Sequence, residues 1–303
     1  MLGPKMPGPK IVPINPSGAV SPQVVVTGSN GRIGRLLRLM WQDGPPARLI
    51  WTARGTRAAQ DLAWNLGVDA APPMDRDTVI LHLAGVLQGT TDALAANHRM
   101  TAEMCHAATV AGVRHVLLIS TAAVYAPQRD LDETADPAPV SDYGRAKLAG
   151  ERVAQRMLPA DGRVGLTVLR LGNLAGADAL LGGLRPGVAA RLDPVAGQAG
   201  GPLRSYVGPQ VLARVLAELI EQTTRNAPLP RLLNVAQPGA VAMADLLTAA
   251  GHPWHFGPPD PAVRGHVDLR VDRLAALLPA GLLPDATATG IVADLLHLKG
   301  KWP

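Results

Sequence analysis

Tyr143 and Lys147 stand four residues apart in Tyr143-Gly144-Arg145-Ala146-Lys147. On a helix that spacing sets both side chains on one face. A free phenol has a pKa of about 10, too high for a base near neutrality. A neighbouring ammonium favours the phenolate and lowers that value, so the pair suits acid–base work. The same spacing also arises as an ordinary exposed helical pair. Thr27-Gly28-Ser29-Asn30-Gly31-Arg32-Ile33-Gly34 offers a second kind of chemistry. Gly28 permits a tight turn, Gly31 lets the backbone approach a pyrophosphate, and Gly34 lets a following helix pack closely. The N–H groups at that helix's start then face the phosphates. The spacing is G-x-x-G-x-x-G, which a plain glycine-rich turn would share. In Ser120-Thr121-Ala122-Ala123-Val124-Tyr125 a hydroxyl could hydrogen-bond a carbonyl or alcohol oxygen; an ordinary strand-end turn would look alike.

These residues need elements to hold them. Gln23 to Val26 is an apolar run leading into the glycine turn, and Arg32 to Met40 has helical spacing in Ile33, Leu36, Leu37 and Met40. Asp43-Gly44-Pro45-Pro46 closes that helix. Leu49 to Thr52 reads as a second strand, Thr56 to Leu66 as a helix, and a weak third strand is predicted near Val68. Thr78 to Leu83 is a strong strand, followed by a helix over Thr91 to Ala111. His115 to Ser120 is the most continuous strand signal, Asp142 to Met157 is helical, and Val164 to Leu171 is another strand. This alternation predicts an α/β fold: a Rossmann-type doubly wound parallel sheet with helices on both faces. Beyond about residue 175 glycine and proline become frequent. Gln210 to Gln222 and Ala244 to Ala250 read as helices and Leu232 to Val235 as a short strand. The expected organisation is a flexible Pro/Gly-rich tail over 1–22, a dinucleotide-binding domain over 23–175 and a smaller C-terminal substrate lobe over 176–303. Ligands of open α/β sheets bind at the carboxyl edge that such a lobe would cover.

Composition limits the function. Of 303 residues, 47% are hydrophobic and 3% aromatic, so the core must rest on Leu, Val, Ile and Ala. The net charge of +5 is scattered, mostly as arginine. With no basic run interleaved with aromatics and no recognition-helix signature, nucleic acid is not expected as a partner. No zinc-ligand spacing is present, and no metal is expected. The single cysteine, Cys105, forms no intrachain disulfide, and a reducing, cytoplasmic location is expected. The tail carries Pro4, Pro7, Pro9, Pro13, Pro16 and Pro22 and no continuous apolar stretch. No run is long enough to span a bilayer, so no membrane association is expected.

Taken together, a glycine turn on the first strand, a hydroxyl at a later strand end and Tyr-x-x-x-Lys 22 residues further on resemble the extended short-chain dehydrogenase/reductase family, the NAD-dependent epimerase/dehydratase group. The resemblance runs from about Val24 to Leu298. It implies Thr121 as the catalytic Ser/Thr, Tyr143 as the acid/base and Lys147 as its partner. His82-Leu83-Ala84-Gly85 looks like the strand-end segment lining the cofactor, and Asn97 matches a recurrent Asn of the following helix. Arg170-Leu171-Gly172-Asn173-Leu174-Ala175-Gly176 looks like the R-x-x-N-x-x-G segment, which implicates Asn173 in substrate binding. Leu232-Leu233-Asn234-Val235 resembles the "YNV" strand of the substrate lobe. The implied cofactor-binding residues are Gly28, Asn30, Gly31, Arg32, Ile33, Gly34, Leu83, Ala84, Gly85, Tyr143 and Lys147. A homodimer through the helices near 91–111 and 142–157 is implied by the same likeness.

The end of the second strand decides the form of the cofactor. NAD enzymes usually place a carboxylate there for the ribose 2′-hydroxyl. Trp51-Thr52-Ala53-Arg54-Gly55-Thr56-Arg57 has none. Arg54 and Arg57 could instead hold a 2′-phosphate, so NADP(H) is favoured over NAD(H). Dehydratases of the group carry an acidic pair after the catalytic Thr; Ala122 and Ala123 stand there, which argues against dehydration. For the substrate, Arg204-Ser205-Tyr206-Val207 resembles the start of the "R-D-x-x-x-V" segment whose Arg meets a nucleotide-sugar diphosphate. Ser205 replaces the Asp, and Gly208-Pro209-Gln210 replaces the later "V-x-D". Arg264 falls near a second phosphate-binding Arg, and two guanidiniums could clamp a diphosphate. Three readings stand: an oxidoreductase or epimerase acting on a small and phosphorylated substrate such as a nucleotide sugar; a non-catalytic NADP(H) sensor; and a reductase of a smaller apolar carbonyl compound. The last predicts a Leu/Val-lined pocket with Arg204 in solvent.

Overall fold

The computed structural model describes residues 22–55, 61–87, 89–260, 263 and 265–298. Arg57, Arg264 and residues 1–21 lie outside them. The chain opens with β1 (Gln23–Thr27), α1 (Arg32–Met40), β2 (Arg48–Ala53), β3 (Leu62–Ala63), β4 (Val79–His82), α2 (Thr91–Ala111) and β5 (His115–Thr121). After a short turn of helix at Ala122–Val124 come α3 (Asp142–Met157), β6 (Gly165–Leu171), β7 (Asn173–Leu174), β8 (Ala190–Leu192), β9 (Leu203–Val207) and α4 (Pro209–Thr224). The last elements are β10 (Leu232–Val235), β11 (Ala240–Ala242), α5 (Met243–Ala249), β12 (Trp254–Phe256), β13 (His266–Val267), α6 (Asp272–Ala275) and α7 (Ala288–Leu296).

Seven strands form one parallel sheet in the order β10-β6-β5-β4-β1-β2-β3. Strand order reverses between β1 and β4, and a crevice opens beyond the carboxyl ends at such a switch point. Side chains of a strand alternate between faces, and both faces are covered. Val24, Val26, Leu117 and Ile119 join a core under α1 and α4, with Leu36, Leu37, Leu212 and Leu216. Val25, Ile80, Val116 and Leu118 join a second core under α2 and α3, with Met104, Cys105, Ala154 and Leu158. These strands are therefore nearly all apolar, as burial on two faces requires. Beyond the sheet, β9 pairs with β7, β11 and β13, and β8 pairs with β12.

Three expectations change. Helix was expected over Thr56 to Leu66, but Leu62 and Ala63 form β3, and the Trp64 amide donates to the Ala53 carbonyl at 2.8 Å. Pairing with β2 overrides local helical spacing there; residues 56–60 lie outside the described set. No strand forms at Val68, which is exposed in a turn closed on Asn65. Finally, Leu232–Val235, which resembles a strand of the substrate lobe, is the edge strand of the main sheet, in register with Val168–Leu171 of β6. It is parallel to β6 because α4 carries the chain back, packing against α1.

Candidate active site

The glycine turn leaves β1 and enters α1. Gly28 has φ +72°, a left-handed conformation natural to glycine. A Cβ there would lie 2.6 Å from the Ala84 amide nitrogen, and one on Gly34 would lie 2.6 Å from the Ser29 carbonyl oxygen. Both residues are glycine because backbone already fills that space. No side chain caps the start of α1, so its first amides stay available to an anion. The Asn30 amide donates to the Gly55 carbonyl at 3.0 Å and ties the turn to the end of β2. Ile33 lines the cleft above it. A pyrophosphate fits this arrangement.

On the neighbouring strand, the segment after β4 is pinned from two sides. Leu83 donates to the Thr27 carbonyl, and Ala84 to the Thr27 hydroxyl. The Asn97 side chain of α2 accepts from the Val86 amide at 2.7 Å and donates to the Val86 carbonyl at 3.0 Å. Asn97 therefore shapes the segment rather than facing the cleft. His82 is buried, with Nδ1 2.8 Å from the Thr27 hydroxyl, and burial drives its pKa down to about 3. It is a neutral prop beneath the turn.

Thr121 ends β5, and its hydroxyl accepts from the Ala123 amide. Tyr143 lies in the first turn of α3, capped by the Ser141 hydroxyl. Gly144 lets that turn approach, since a Cβ would lie 3.0 Å from the Ala123 carbonyl carbon and closer still to its oxygen. Thr121 and Tyr143 line the same cleft. Burial raises the Tyr143 phenol above its usual pKa, and the Thr121 hydroxyl opposes that rise. Lys147, one turn on, donates to the Ile119 carbonyl at 2.6 Å, and burial lowers its pKa to about 8 against the pull of Glu151. For the Tyr143 phenol, burial is the larger influence and Thr121 lowers it.

These residues meet on one cleft of about 440 Å³. Its walls include Gly28, Gly31, Arg32, Gly34, Leu83 and Gly85 on one side of the switch point, and Thr121, Tyr143, Lys147 and Asn173 on the other. Arg32 reaches across to the Ala177 carbonyl at 3.0 Å. Arg54 stands exposed just past β2. Arg204 is half-buried on β9, with Nη1 donating to the Leu203 carbonyl at 2.8 Å. It is absent from the cleft lining. Tyr206 and Asp178 are among the lining residues not assigned from sequence. The Tyr206 hydroxyl donates to Asp178 at 2.8 Å, and Asp178 also accepts from the Leu181 and Gly182 amides. Asp178 is the only carboxylate among the described lining residues. Nothing in the local spacing of Gly176 to Gly183 marks it. Composition does mark Lys147: the chain has five lysines, and Lys147 is the only one between residues 11 and 298.

Among known proteins, the family model described as the NAD dependent epimerase/dehydratase family matches residues 24–192. The chain is similar to dTDP-6-deoxy-L-talose 4-dehydrogenase (NAD(P)(+)) of Kitasatospora kifunensis, with 32% identity over 186 residues. That match spans 56% of this chain and 58% of the relative, little more than half of its length. The fold is similar to MoeE5 in complex with UDP-glucose and NAD, with TM-score 0.72 and 18% identity over 92% of this chain and 99% of that one. It is also similar to the UDP-glucose-4-epimerase (galE) of Stenotrophomonas maltophila with bound NAD and formylated UDP-arabinopyranose, with TM-score 0.70 and 17% identity over 91% and 97%. The family match covers more than half of the chain and includes the glycine turn, Thr121, Tyr143 and Lys147. This chain therefore belongs to the NAD dependent epimerase/dehydratase family, NAD(P)-dependent enzymes of the extended short-chain dehydrogenase/reductase type.

Proposed function

We propose that the chain is an oxidoreductase or epimerase moving hydride at an alcohol or carbonyl carbon of a nucleotide-linked sugar, with Tyr143 as acid/base. The observation that carries this reading is the convergence of Thr121, Tyr143 and Lys147 on the same cleft as the glycine turn. The nicotinamide, when bound, supplies the hydride acceptor or donor. In oxidation the Tyr143 oxygen takes the alcohol proton; in reduction it returns a proton to the forming alkoxide. Thr121 holds the reacting oxygen, and Lys147 binds the nicotinamide ribose. The first amides of α1 with Gly28 and Gly31 take the pyrophosphate. Ala122 and Ala123 supply no acid for elimination, and Asp178 is engaged by Tyr206 and two amides. We therefore favour simple redox or epimerisation over dehydration.

NADP(H) is the preferred form in this reading, because exposed Arg54 stands where a carboxylate would select NAD(H). The likeness to sugar-nucleotide proteins supports the substrate class; Arg204, with its guanidinium on Leu203, supplies no support for it in this conformation. A homodimer through α2 and α3 completes the reading. Both helices keep exposed apolar residues, Val110 and Met157, and sedimentation velocity on V110E/M157E should show a monomer where the wild type is a dimer.

A substrate deuterated at the reacting carbon tests the function. An oxidoreductase leaves deuterium on released nicotinamide; an epimerase returns it to the inverted sugar with no net cofactor reduction. Absence of transfer from every nucleotide sugar tried, with either dinucleotide, contradicts the proposal.

A further inference from the structure

Behind the cleft lies a buried charge that the mechanism above does not use. Glu151 sits on α3 one turn beyond Lys147 and is 1% exposed. Arg170 of β6 grips its carboxylate, with Nη2 to Oε2 at 2.8 Å and Nε to the two oxygens at 3.2 and 3.3 Å. Ser120, next to Thr121, donates its hydroxyl to the same carboxylate. The Arg170 guanidinium lies over the Tyr125 ring at 4.6 Å, and the Tyr125 hydroxyl donates to Asn234 of β10 at 2.9 Å. Side chains from β5 and β6 therefore fix this carboxylate in place. Lys147 and Glu151 border one narrow gap with Asn97, Thr101, Ile119 and Ser120, and it has no room for a water molecule. A field across such a gap is not screened by solvent.

The other groups facing Lys147 carry no opposing negative charge. His82 of β4 is neutral by burial. Tyr143 on the same helix face is a phenol raised by burial. Asn97 and Thr101 of α2, the Ile119 carbonyl and Thr121 are uncharged. Arg170 is itself paired with the Glu151 carboxylate.

We propose that Glu151 is a positioning residue for the redox site: a buried carboxylate, clamped by Arg170 and Ser120, that keeps the Lys147 ammonium charged against the cost of its burial. Its relevance to catalysis rests on the role given to Lys147 above, but the effect on Lys147 can be read without turnover. With five lysines in the chain, Lys147 being the only one between residues 11 and 298, lysine-selective 13C/15N labelling lets its ε signals be titrated by NMR. The wild type should titrate with a midpoint of about 8. In Glu151→Gln the midpoint should fall by about one pH unit or more, because the favourable charge is gone while burial remains. Glu151→Gln leaves Arg170 buried without a partner and could unfold. The double variant E151L/R170M replaces the pair by apolar groups of similar volume, a change that folded proteins often tolerate; it should lower the midpoint as well, by less, because the Arg170 charge goes with that of Glu151. An unchanged Lys147 midpoint in whichever variant folds overturns the proposal. A lowered midpoint in an enzyme that transfers no hydride would leave this inference standing and defeat the functional reading instead.

Discussion

At Tyr143 two influences compete, and the structure ranks them. Burial raises the phenol and the neighbouring Thr121 hydroxyl lowers it. Replacing Thr121 by Val removes the lowering partner while keeping the shape. The alcohol-oxidising direction needs phenolate, so its pH–rate profile should move to higher pH, and turnover should drop by roughly 10²-fold; stopped-flow measurement of reduced nicotinamide against pH checks this. At Arg54, substitution by Asp should weaken NADP(H) by at least about tenfold while sparing NAD(H), measured by fluorescence titration of both. A wild type that prefers NAD(H) would contradict the proposed cofactor. Thr121, Tyr143 and Lys147 were legible because their chemistry and spacing are local. The pairing of Glu151 with Arg170 was not, because its partners stand 19 residues apart on different elements. Asp178 escaped for a related reason: its partner Tyr206 is 28 residues away.

The elements divide along the same line. α2 and α3 could be read from sequence to their ends because each starts at a capping hydroxyl, Thr90 or Ser141, with an acidic residue, Asp92 or Asp142, in its first turn. The parallel strands β1, β4, β5 and β6 stand out as apolar runs, which burial on two faces demands. β3, β7, β8, β12 and β13 have two or three residues each. Their pairing comes from distant partners, so no local pattern betrays them. The joint between β1 and α1 is the element-scale feature most open to test. Gly34→Ala should drive a methyl into the Ser29 carbonyl at 2.6 Å, costing about 1–3 kcal/mol by overpacking. It should lower the Tm and weaken dinucleotide binding together. A Gly34→Ala protein of unchanged Tm and affinity would show that the turn is looser than its geometry implies.

For the molecule as a whole, buried histidines tie stability to pH. Burial, which favours the neutral ring, lowers His82 to about 3 and His115 to about 4. Both folded values lie below the ordinary value near 6.5, so the stabilising contribution is fully present above that pH. It is lost as pH falls from there toward 4 and 3, because the unfolded chain binds protons that the fold refuses. Thermal stability should therefore fall progressively below about pH 6.5, and less steeply in His115→Gln, as thermal melts against pH would show. The same closure of the chain onto itself, with α4 and β10 returning from the C-terminal half to the sheet, seats Asn234 against Tyr125 and so braces the strand end that carries Thr121. Fold and site are thus one structure, which sets Tyr143 on the same cleft as the glycine turn. Tyr143→Phe tests that most directly, with turnover of a nucleotide-sugar substrate and dinucleotide affinity measured on the same preparation. The account predicts a loss of at least about 10³-fold in kcat with the dinucleotide Kd within a few-fold of wild type; turnover that survives the substitution would contradict it.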